Sequence, residues 1–270
     1  MAEQAITFET KGRIAIITIN QPKKLNALTQ DLYYRIAQLL HEIAERDDIK
    51  ITILTGNGRF FSAGADVSIS RATPEDEDTK RYFLKSFVAN NLHLTHAFYT
   101  HPKILIAALN GPAIGLSAAM IAHADFIYAT PHTFLLTPFS SLGLVAEGGA
   151  SRAFVTRLGI SKANEALIMS KRLSVEELVH TGFVNKVFDT KPGDTAAFMK
   201  EVLHEVDERL GMHLNQDSLL KIKALIRRPD RDVHDAQLIH EVVGGLERFV
   251  AGVPQEEFRK IASGEKRHKL

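Results

Sequence analysis

The sequence predicts an α/β fold, and three features of the chain carry this prediction. Apolar runs such as Ile104–Leu109 have the length and composition of strands that are buried on both faces. Between such runs lie segments with apolar residues at helical spacing, of which residues 29–46 are the clearest. From residue 195 onward the pattern is helical throughout. We therefore expect an α/β core over residues 1–194 and a helical region over residues 195–270.

The first hundred residues alternate between strand and helix patterns. The second predicted strand carries apolar side chains on both faces, so we expect it to be buried. Thr29 is a suitable N-cap for the first long helix, and Thr73 followed by Pro74 is a suitable start for the second. The predicted elements are strands at residues 5–9, 13–20 and 49–55, and helices at residues 29–46 and from residue 73 toward residue 99.

The rest of the chain continues with short elements and ends in helices. Ser174 begins Ser-Val-Glu-Glu, which is a capping box, and Ser161 is a suitable cap for the helix before it. The predicted strands are at residues 103–109, 126–128, 133–136 and 182–188. The predicted helices are at residues 116–123 and 150–158, from residues 161 and 174, and at residues 195–210, 215–227, 231–250 and 255–262.

The composition is that of an ordinary globular protein and excludes several classes of site and partner. Of the 270 residues, 45% are hydrophobic and 24% are charged, which provides enough apolar material for a large core. The formal net charge of +1 predicts no long-range attraction for nucleic acid. The chain contains no cysteine, so it can form neither a disulfide nor a thiolate metal site.

The uncharged stretch at residues 104–122 is long enough for a membrane span to be considered. Asn110, Gly111 and Pro112 interrupt it, and polar residues flank it on both sides. We therefore expect a buried strand, a turn and a short helix here, and no membrane span.

The turn inside this stretch is the first candidate for chemistry. Gly115 permits a tight backbone turn, and Leu116 begins a short helix rich in small residues. A buried strand that leads through such a turn into a helix leaves N–H groups unpaired in a water-poor place, which suits an anion. Ser117 half matches the hydrolase motif Gly-x-Ser-x-Gly, but the last glycine is missing, so we interpret Ser117 as a packing residue.

Glu147 is the second candidate. It is the only acidic or basic residue, histidine aside, between Asp125 and Arg152, and its neighbours are apolar residues and glycines. A lone carboxylate in apolar surroundings near an anion-binding turn is a candidate general base. The alternative is that Glu147 caps a helix that begins near Gly148, since carboxylates favour helix N-termini.

His93 and His96 are spaced by three and could share one face of a helix. No neighbouring acidic motif completes a metal site around them, so we expect core or solvated histidines and no bound metal.

Five segments of the chain match, in order, the motifs of a known family. They are Asn-Gln-Pro-Lys-Lys-Leu-Asn-Ala-Leu at residues 20–28, Gly-Arg-Phe-Phe-Ser-Ala-Gly-Ala-Asp at 58–66, Ala-Ala-Leu-Asn-Gly-Pro-Ala-Ile-Gly-Leu at 107–116, Leu-Gly-Leu-Val-Ala-Glu-Gly-Gly at 142–149 and Gly-Phe-Val-Asn-Lys-Val at 182–187. From near residue 5 to near residue 190 the chain resembles the enoyl-CoA hydratase/isomerase (crotonase) superfamily. The resemblance implies a crotonase-like spiral of ββα units and a C-terminal helical region that supports a homotrimer or homohexamer.

The resemblance also implies where an acyl-CoA substrate binds. In the family, two backbone N–H groups hold the thioester oxygen as an enolate forms, and the matching positions here are Ala65 and Leu116. The other implied substrate-binding residues are Lys24, Leu25, Ala63, Gly64, Asp66 and Val67. The lysines of the 23–25 turn either contact the phosphates of coenzyme A or are simply solvated. Coenzyme A is part of the substrate, so we expect no separate cofactor.

The carboxylates indicate which member of the family the chain resembles. Hydratases use two glutamates, at positions that match Ala119 and Phe139 here, and both acids are absent. Glu147 matches the catalytic glutamate of the enoyl-CoA isomerases, including those of fungal peroxisomes. The resemblance implies that this one carboxylate moves a proton from C2 to C4 of a 3-enoyl-CoA, and that Asn91 faces the acyl pocket. The alternatives are a dienoyl-CoA isomerase, another acyl-CoA enzyme of this fold, or a non-catalytic acyl-CoA-binding scaffold.

The chain ends in His268-Lys269-Leu270, a variant of the peroxisomal address Ser-Lys-Leu, and basic residues precede it. A solvated basic tail is the alternative interpretation. Because unsaturated fatty acids undergo β-oxidation in peroxisomes, we expect the import receptor to be a partner and the peroxisome to be the location.

Overall fold

The structure, a computed structural model, describes residues 2–66 and 72–267 and confirms a mixed α/β fold. The strands are β1 (Ile6–Lys11), β2 (Ile14–Ile19), β3 (Ile51–Gly56), β4 (Ile104–Leu109), β5 (Ala113–Ile114), β6 (Phe126–Ala129), β7 (Phe134–Leu136), β8 (Leu173–Ser174) and β9 (Lys186–Val187). The helices are α1 (Ala2–Ala5), α2 (Gln30–Ala44), α3 (Thr79–Phe83), α4 (Ala89–Tyr99), α5 (Leu116–Ile121), α6 (Ala150–Leu167), α7 (Val175–His180), α8 (Thr195–Leu210), α9 (Gln216–Arg227), α10 (Arg231–Val250) and α11 (Val253–Ala262).

The strands form two sheets. The main sheet has the order β1-β2-β3-β4-β6-β9, and only its first pair is antiparallel. The smaller sheet has the order β5-β7-β8, in which β5 and β7 are parallel. Parallel strands need long crossover connections, and here α2 connects β2 to β3 while α3 and α4 lie between β3 and β4.

Both faces of the main sheet are buried, as the apolar runs predict. Because side chains alternate along a strand, residues on one face of the central strands pack on α8. Residues on the other face pack on α2, α4, α5 and α6 in the larger core. The face toward α8 carries Ile16, Ile51, Ile53, Ile104 and Ile106. The face toward the larger core carries Ala15, Ile17, Leu54, Leu105 and Ala107.

One predicted helix start is wrong. Thr73 and Pro74 do not begin the helix, because residues 74–77 form a turn in which the N–H of Glu77 donates to the carbonyl of Pro74. Asp78 is the N-cap instead, and its side chain accepts from the N–H of Arg81 at 2.8 Å. A π-helical turn at Leu84–Val88 then separates α3 from α4.

Most of the remaining helices follow the sequence pattern, but Ser161, predicted as a cap, lies inside α6. Thr29 caps α2, and Ser174 forms the predicted capping box of α7 with Glu177. A kink at Gly159 divides α6 into two parts. The four predicted C-terminal helices are present. The domain boundary at residue 194 stays a prediction, and α8, which follows it, packs directly on the main sheet. No helix of the described residues is both long and apolar enough to cross a membrane.

Candidate active site

Two glycine-bearing turns lie side by side at the edge of the sheets. Ser62 pairs with Ala113 in a parallel bridge, so Ala65 and Leu116 each lie three residues beyond one bridge. The turns touch: a Cβ added at Gly64 would lie 2.7 Å from the carbonyl oxygen of Ile114. Only a residue without a side chain permits this approach, and Gly64 also has a φ of +84°. The two backbone segments therefore reach the same place together.

The N–H groups of Ala65 and Leu116 have no acceptor within the described part of the chain. Leu28 bonds to the residues on both sides of Ala65, accepting from Asp66 and donating to Gly64, so the Ala65 N–H points away from this pairing. Leu116 is the first residue of α5, where an N–H has no partner in its own helix. Its preceding residue, Gly115, has a φ of +62°. Two unpaired donors thus lie at the adjoining turns.

Two buried asparagines fix the segment that leads to Ala65. The Nδ2 group of Asn26 donates to the carbonyls of Asn57 and Phe60 at 2.9 and 2.7 Å. Asn110 Nδ2 donates to the carbonyls of Gly58 and Phe60 at 2.7 and 3.1 Å. Neither asparagine was predicted from the sequence to hold this segment. The sequence signal was an amide side chain inside a segment that matches the family motifs. Such a side chain, when buried, bonds to backbone groups that would otherwise lack a partner.

Ala65 and Leu116 both line a cavity of about 330 Å³. Aromatic residues of α10 and α11 also contribute to its wall. The π-helical turn lines one side, as such turns often do at functional sites. The apolar and aromatic lining residues are Leu28, Tyr33, Tyr82, Phe83, Phe87, Leu94, Leu144, Phe249 and Phe258. The shape and lining suit a mainly apolar chain with a polar end.

Glu147 lines this cavity and is half-buried. Asn91 on α4 donates from Nδ2 to Glu147 Oε2 at 2.8 Å. Thr95, one turn further along α4, donates its hydroxyl to Asn91 Oδ1 at 3.3 Å, so the amide is turned with its donor toward Glu147. The structure thereby brings together Glu147, Asn91, Ala65 and Leu116 around one space.

Glu147 is not the cap of the helix that follows it. The helix α6 begins at Ala150, and the N–H groups of Gly149 and Ser151 donate to the carboxylate of Glu241, at 2.7 and 2.9 Å. The capping alternative from the sequence is therefore wrong. Glu241 was missed by the sequence analysis, although its signal is visible: it lies on the apolar stripe of α10.

Ser117 and His93 both contact other side chains of the fold. Ser117 is buried, and its hydroxyl bonds to Tyr33 Oη at 3.1 Å and Ser62 Oγ at 2.9 Å. This supports a packing role and gives it no histidine partner. His93 contacts the rings of Tyr34 and His41, and the described residues contain no group of three or more side chains suited to a metal.

The residues predicted to contact coenzyme A lie next to the N–H turns. Lys24 ends a short 3₁₀ turn and pairs with Asp66 at 3.3 Å, so part of its charge is directed toward Asp66. Leu25 has a φ of +52°, a conformation that L-residues rarely adopt, in the same turn. Ala63 and Gly64 precede Ala65 directly. Val67 and the terminal residues His268, Lys269 and Leu270 lie outside the described residues.

The two positions where hydratases carry acids are apolar and buried here. Ala119 on α5 is fully buried, and Phe139 is buried after β7. Of the described acidic residues that line the cavity, Asp31 is exposed and Asp66 pairs with Lys24, which leaves Glu147 as the carboxylate beside the two N–H groups.

Comparison with known proteins agrees with this geometry. The profile of the family described as enoyl-CoA hydratase/isomerase matches residues 9–266. The protein is a member of the enoyl-CoA hydratase/isomerase family. Its match continues through the C-terminal helices, whereas the motifs recognised in the sequence ended near residue 190. The C-terminal helices thus belong to the family pattern.

Two relatives of this family member carry the names of different isomerases. A Δ3,5-Δ2,4-dienoyl-CoA isomerase of Pyricularia oryzae is 58% identical, over 98% of each chain. A 3,2-trans-enoyl-CoA isomerase of Saccharomyces cerevisiae is 35% identical, over 99% of this chain and 97% of the relative. Among solved structures, an enoyl-CoA hydratase/isomerase from Pseudoalteromonas atlantica T6c is similar with a TM-score of 0.82 and 26% identity, over 98% of this chain and all of that chain.

Proposed function

We propose that this protein is an isomerase that moves a carbon–carbon double bond of an unsaturated acyl-CoA, and that its substrate is a 3-enoyl-CoA. The observation that carries the proposal is the cavity shared by one amide-held carboxylate, Glu147, and two unpaired N–H groups, of Ala65 and Leu116. The names of the two relatives described above support the class of reaction.

The proposed reaction needs one base and one oxyanion site. The carboxylate of Glu147 removes a proton from C2, and the electrons of that C–H bond delocalise through C1 onto the thioester oxygen. The N–H groups of Ala65 and Leu116 donate to the developing oxyanion, and one such donor typically contributes about 3–4 kcal/mol. Protonated Glu147 then delivers the proton to C4, the carbonyl re-forms, and the double bond lies between C2 and C3. No separate cofactor takes part.

Asn91 has a proposed role in this transfer. Its Nδ2 group donates to one oxygen of Glu147. This bond fixes the plane of the carboxylate and therefore the direction of its other oxygen. Thr95 keeps the amide in that orientation. We expect Asn91 to hold the base between C2 and C4, which are close enough together for one carboxylate to serve as base and then as acid.

A 3,5-dienoyl-CoA is the second candidate substrate, and the relative from Pyricularia oryzae favours it. Its conversion to a 2,4-dienoyl-CoA begins with the same loss of a C2 proton, but the proton returns at C6. This carbon lies four bonds from C2, so the step favours a second acid. Ala119 and Phe139 supply none, which is why we propose the 3-enoyl substrate first.

The substrate assay separates the candidates. Purified protein is given trans-3-hexenoyl-CoA, 3,5-octadienoyl-CoA and trans-2-hexenoyl-CoA in parallel, and the products are identified by liquid chromatography with mass spectrometry. We expect rapid conversion of the first, slower conversion of the second and no hydration of the third. Exclusive turnover of the dienoyl substrate would establish the second candidate, and dominant hydration would contradict both.

The matched variant for this assay is Glu147→Gln. The amide oxygen that this variant introduces can still accept from Asn91, so the fold and the binding of hexanoyl-CoA should be unchanged. Turnover should fall by at least ~10²-fold, the usual scale of general acid–base catalysis. Near-normal turnover would remove Glu147 from the mechanism.

Coenzyme A binding, assembly and address complete the proposal. We expect the nucleotide part of the substrate to lie over Lys24, Leu25, Ala63, Gly64, Asp66 and Val67, and the C-terminal helices to support a homotrimer or homohexamer. The terminal His268-Lys269-Leu270 is proposed to bind the peroxisomal import receptor.

The address can be tested separately from the chemistry. Deleting Lys269 and Leu270 should leave the turnover of the purified enzyme unchanged, because the active-site residues lie elsewhere. In cells without the full-length chain, a fluorescent fusion of the shortened protein should stay in the cytosol, while the same fusion with the intact terminus enters peroxisomes. Peroxisomal import of the shortened chain would show that another signal directs it.

A further inference from the structure

The peptide groups that follow Glu147 are held by two buried side chains that the proposed chemistry does not use. His123, two residues after the end of α5, bonds through Nε2 to the carbonyl of Gly148 at 2.8 Å. Glu241, on α10, accepts from the N–H groups of Gly149 and Ser151 at 2.7 and 2.9 Å, and from the Ser151 hydroxyl. Two distant parts of the chain thus meet on the residues directly after the base.

Glu241 is an unusual residue to find in this place. Only 5% of it is exposed, and it lies on the face of α10 that buries Leu238, Val242 and Leu246. Burial raises the pKa of Glu241 although its three hydrogen bonds oppose the shift. A buried carboxylate costs stability unless it is well bonded, and here the N-terminus of α6 provides the donors and a favourable dipole.

The loop that Glu241 and His123 hold is closely packed. A Cβ at Gly148 would lie 2.3 Å from Met120 Cε and 2.8 Å from Leu116 Cδ1, and one at Gly149 would lie 2.8 Å from the His123 ring. The loop is therefore pressed on α5, the helix that begins with the unpaired N–H of Leu116. The placement of Glu147 relative to that N–H depends on how firmly residues 148–151 are held.

We propose that Glu241 and His123 are positioning residues that fix the backbone of Glu147 relative to the oxyanion site. The proposal rests on the proposed role of Glu147 as the base. Glu241 acts from α10, and His123 acts from the turn after α5. The base is therefore held between the C-terminal helices and the core. Neither side chain lines the cavity. Their effect is on geometry, and a displacement of about 1 Å can lower a rate by ~10²-fold.

The variant Glu241→Gln tests this directly. It keeps the shape of the side chain but leaves one acceptor oxygen, so the new NH₂ group faces an N–H donor of Gly149 or Ser151. We expect kcat to fall about 10- to 100-fold, while KM changes less than about threefold because the cavity wall is intact. Glu241→Asp, which keeps both acceptors on a shorter stem, should restore part of the lost kcat. Ser151→Ala removes only the hydroxyl donor and should have a smaller effect.

A matched control separates positioning from stability. Ser174→Ala removes the N-cap of α7, away from the cavity, and typically costs about 1 kcal/mol of stability. It should lower Tm and leave kcat unchanged. If Glu241→Gln lowers Tm by a similar amount and also leaves kcat unchanged, Glu241 is merely structural and the proposal is overturned.

A double-mutant cycle provides the decisive measurement. If Glu241 acts through Glu147, adding Glu241→Gln to Glu147→Gln should produce no further loss of turnover. Additive losses would overturn the positioning role. The proposed function is contradicted by a different result, namely that Glu147→Gln alone retains turnover. If Glu147→Gln lowers turnover strongly and Glu241→Gln does not lower it, only the positioning role of Glu241 is rejected.

Discussion

At the scale of residues, the site depends on backbone groups that side-chain chemistry cannot replace. The N–H groups of Ala65 and Leu116 are unpaired because a glycine precedes each of them and turns the chain. Asn26 and Asn110 then hold one of the two turns by its carbonyl groups. The identity of the side chains at positions 65 and 116 matters less than the conformation of the residues before them.

Leu116→Pro tests a backbone donor by removing it. Leu116 is the first residue of α5, where proline fits and no intrahelical bond is lost. Gly115 has φ +62° and ψ −133°, which lies outside the αR region that a following proline disfavours. We expect a folded protein with a modest loss of stability and a turnover lower by ~10²–10³, the effect of losing one oxyanion donor.

Melting temperature and turnover should be measured on the same preparation of this variant, with Leu116→Ala as the control that keeps the N–H. A folded Leu116→Pro protein with wild-type turnover would show that this N–H does not hold the oxyanion.

At the scale of elements, predictions succeeded where one local pattern dominated and failed where two competed. The Ser174 capping box and the apolar strand Ile104–Leu109 are present as expected, because their signals are local. Two caps, Thr73 and Asp78, compete before α3, and the structure uses the later one. The sequence led to Glu147 but not to its partner carboxylate Glu241, because the contact joins residues far apart in the chain. Such long-range pairs leave only indirect signals in a single sequence.

The helix α10 also contributes to the wall of the cavity. Its Phe249 is 7% exposed, and its ring centroid lies 4.9 Å from that of Phe83 and 4.7 Å from that of Phe87. Phe249→Leu should enlarge the cavity at this wall at a cost of about 1–2 kcal/mol of stability. We expect kcat/KM for 3-decenoyl-CoA relative to 3-hexenoyl-CoA to rise at least about tenfold, the scale of a methylene in an apolar pocket.

The matched control is Phe198→Leu on α8, which is also buried but lies on the other face of the main sheet. It should lose similar stability without a change in chain-length preference. An equal shift of preference in both variants would show that the preference follows stability and not the wall at Phe249.

At the scale of the whole molecule, two buried histidines link stability to pH. Burial lowers the pKa of His101 and of His123 to about 3, from an ordinary value of 6.5. Between these values the unfolded chain binds protons that the native chain does not, so the free energy of unfolding falls as pH falls. Each histidine contributes about 1.4 kcal/mol per pH unit. Burial also lowers the pKa values of His93, His96 and His234, which adds to this slope, while the raised pKa of Glu241 acts in the opposite direction.

Urea unfolding at pH 7.5, 6.5 and 5.5 measures this slope. We expect the urea midpoint to decrease as the pH is lowered below 6.5, and His123→Gln to reduce this dependence, since the contribution of one buried histidine is removed. His180→Gln, at an exposed position, is the control and should leave the slope unchanged. A midpoint independent of pH across this range would contradict the neutral, buried state of both histidines.

The bond between Gly149 and Glu241 spans 92 positions of the chain, and this has a consequence for biosynthesis. A ribosome makes the two glycine turns and Glu147 long before it makes α10. Until Glu241 emerges, the first N–H groups of α6 lack the carboxylate that caps them, and the cavity lacks the wall formed by Phe249. The nascent chain can form its sheet in order of synthesis, but the loop behind Glu147 is completed only by some of the last residues to be added. A chain released before residue 231 would therefore carry every proposed catalytic group in an unfinished setting.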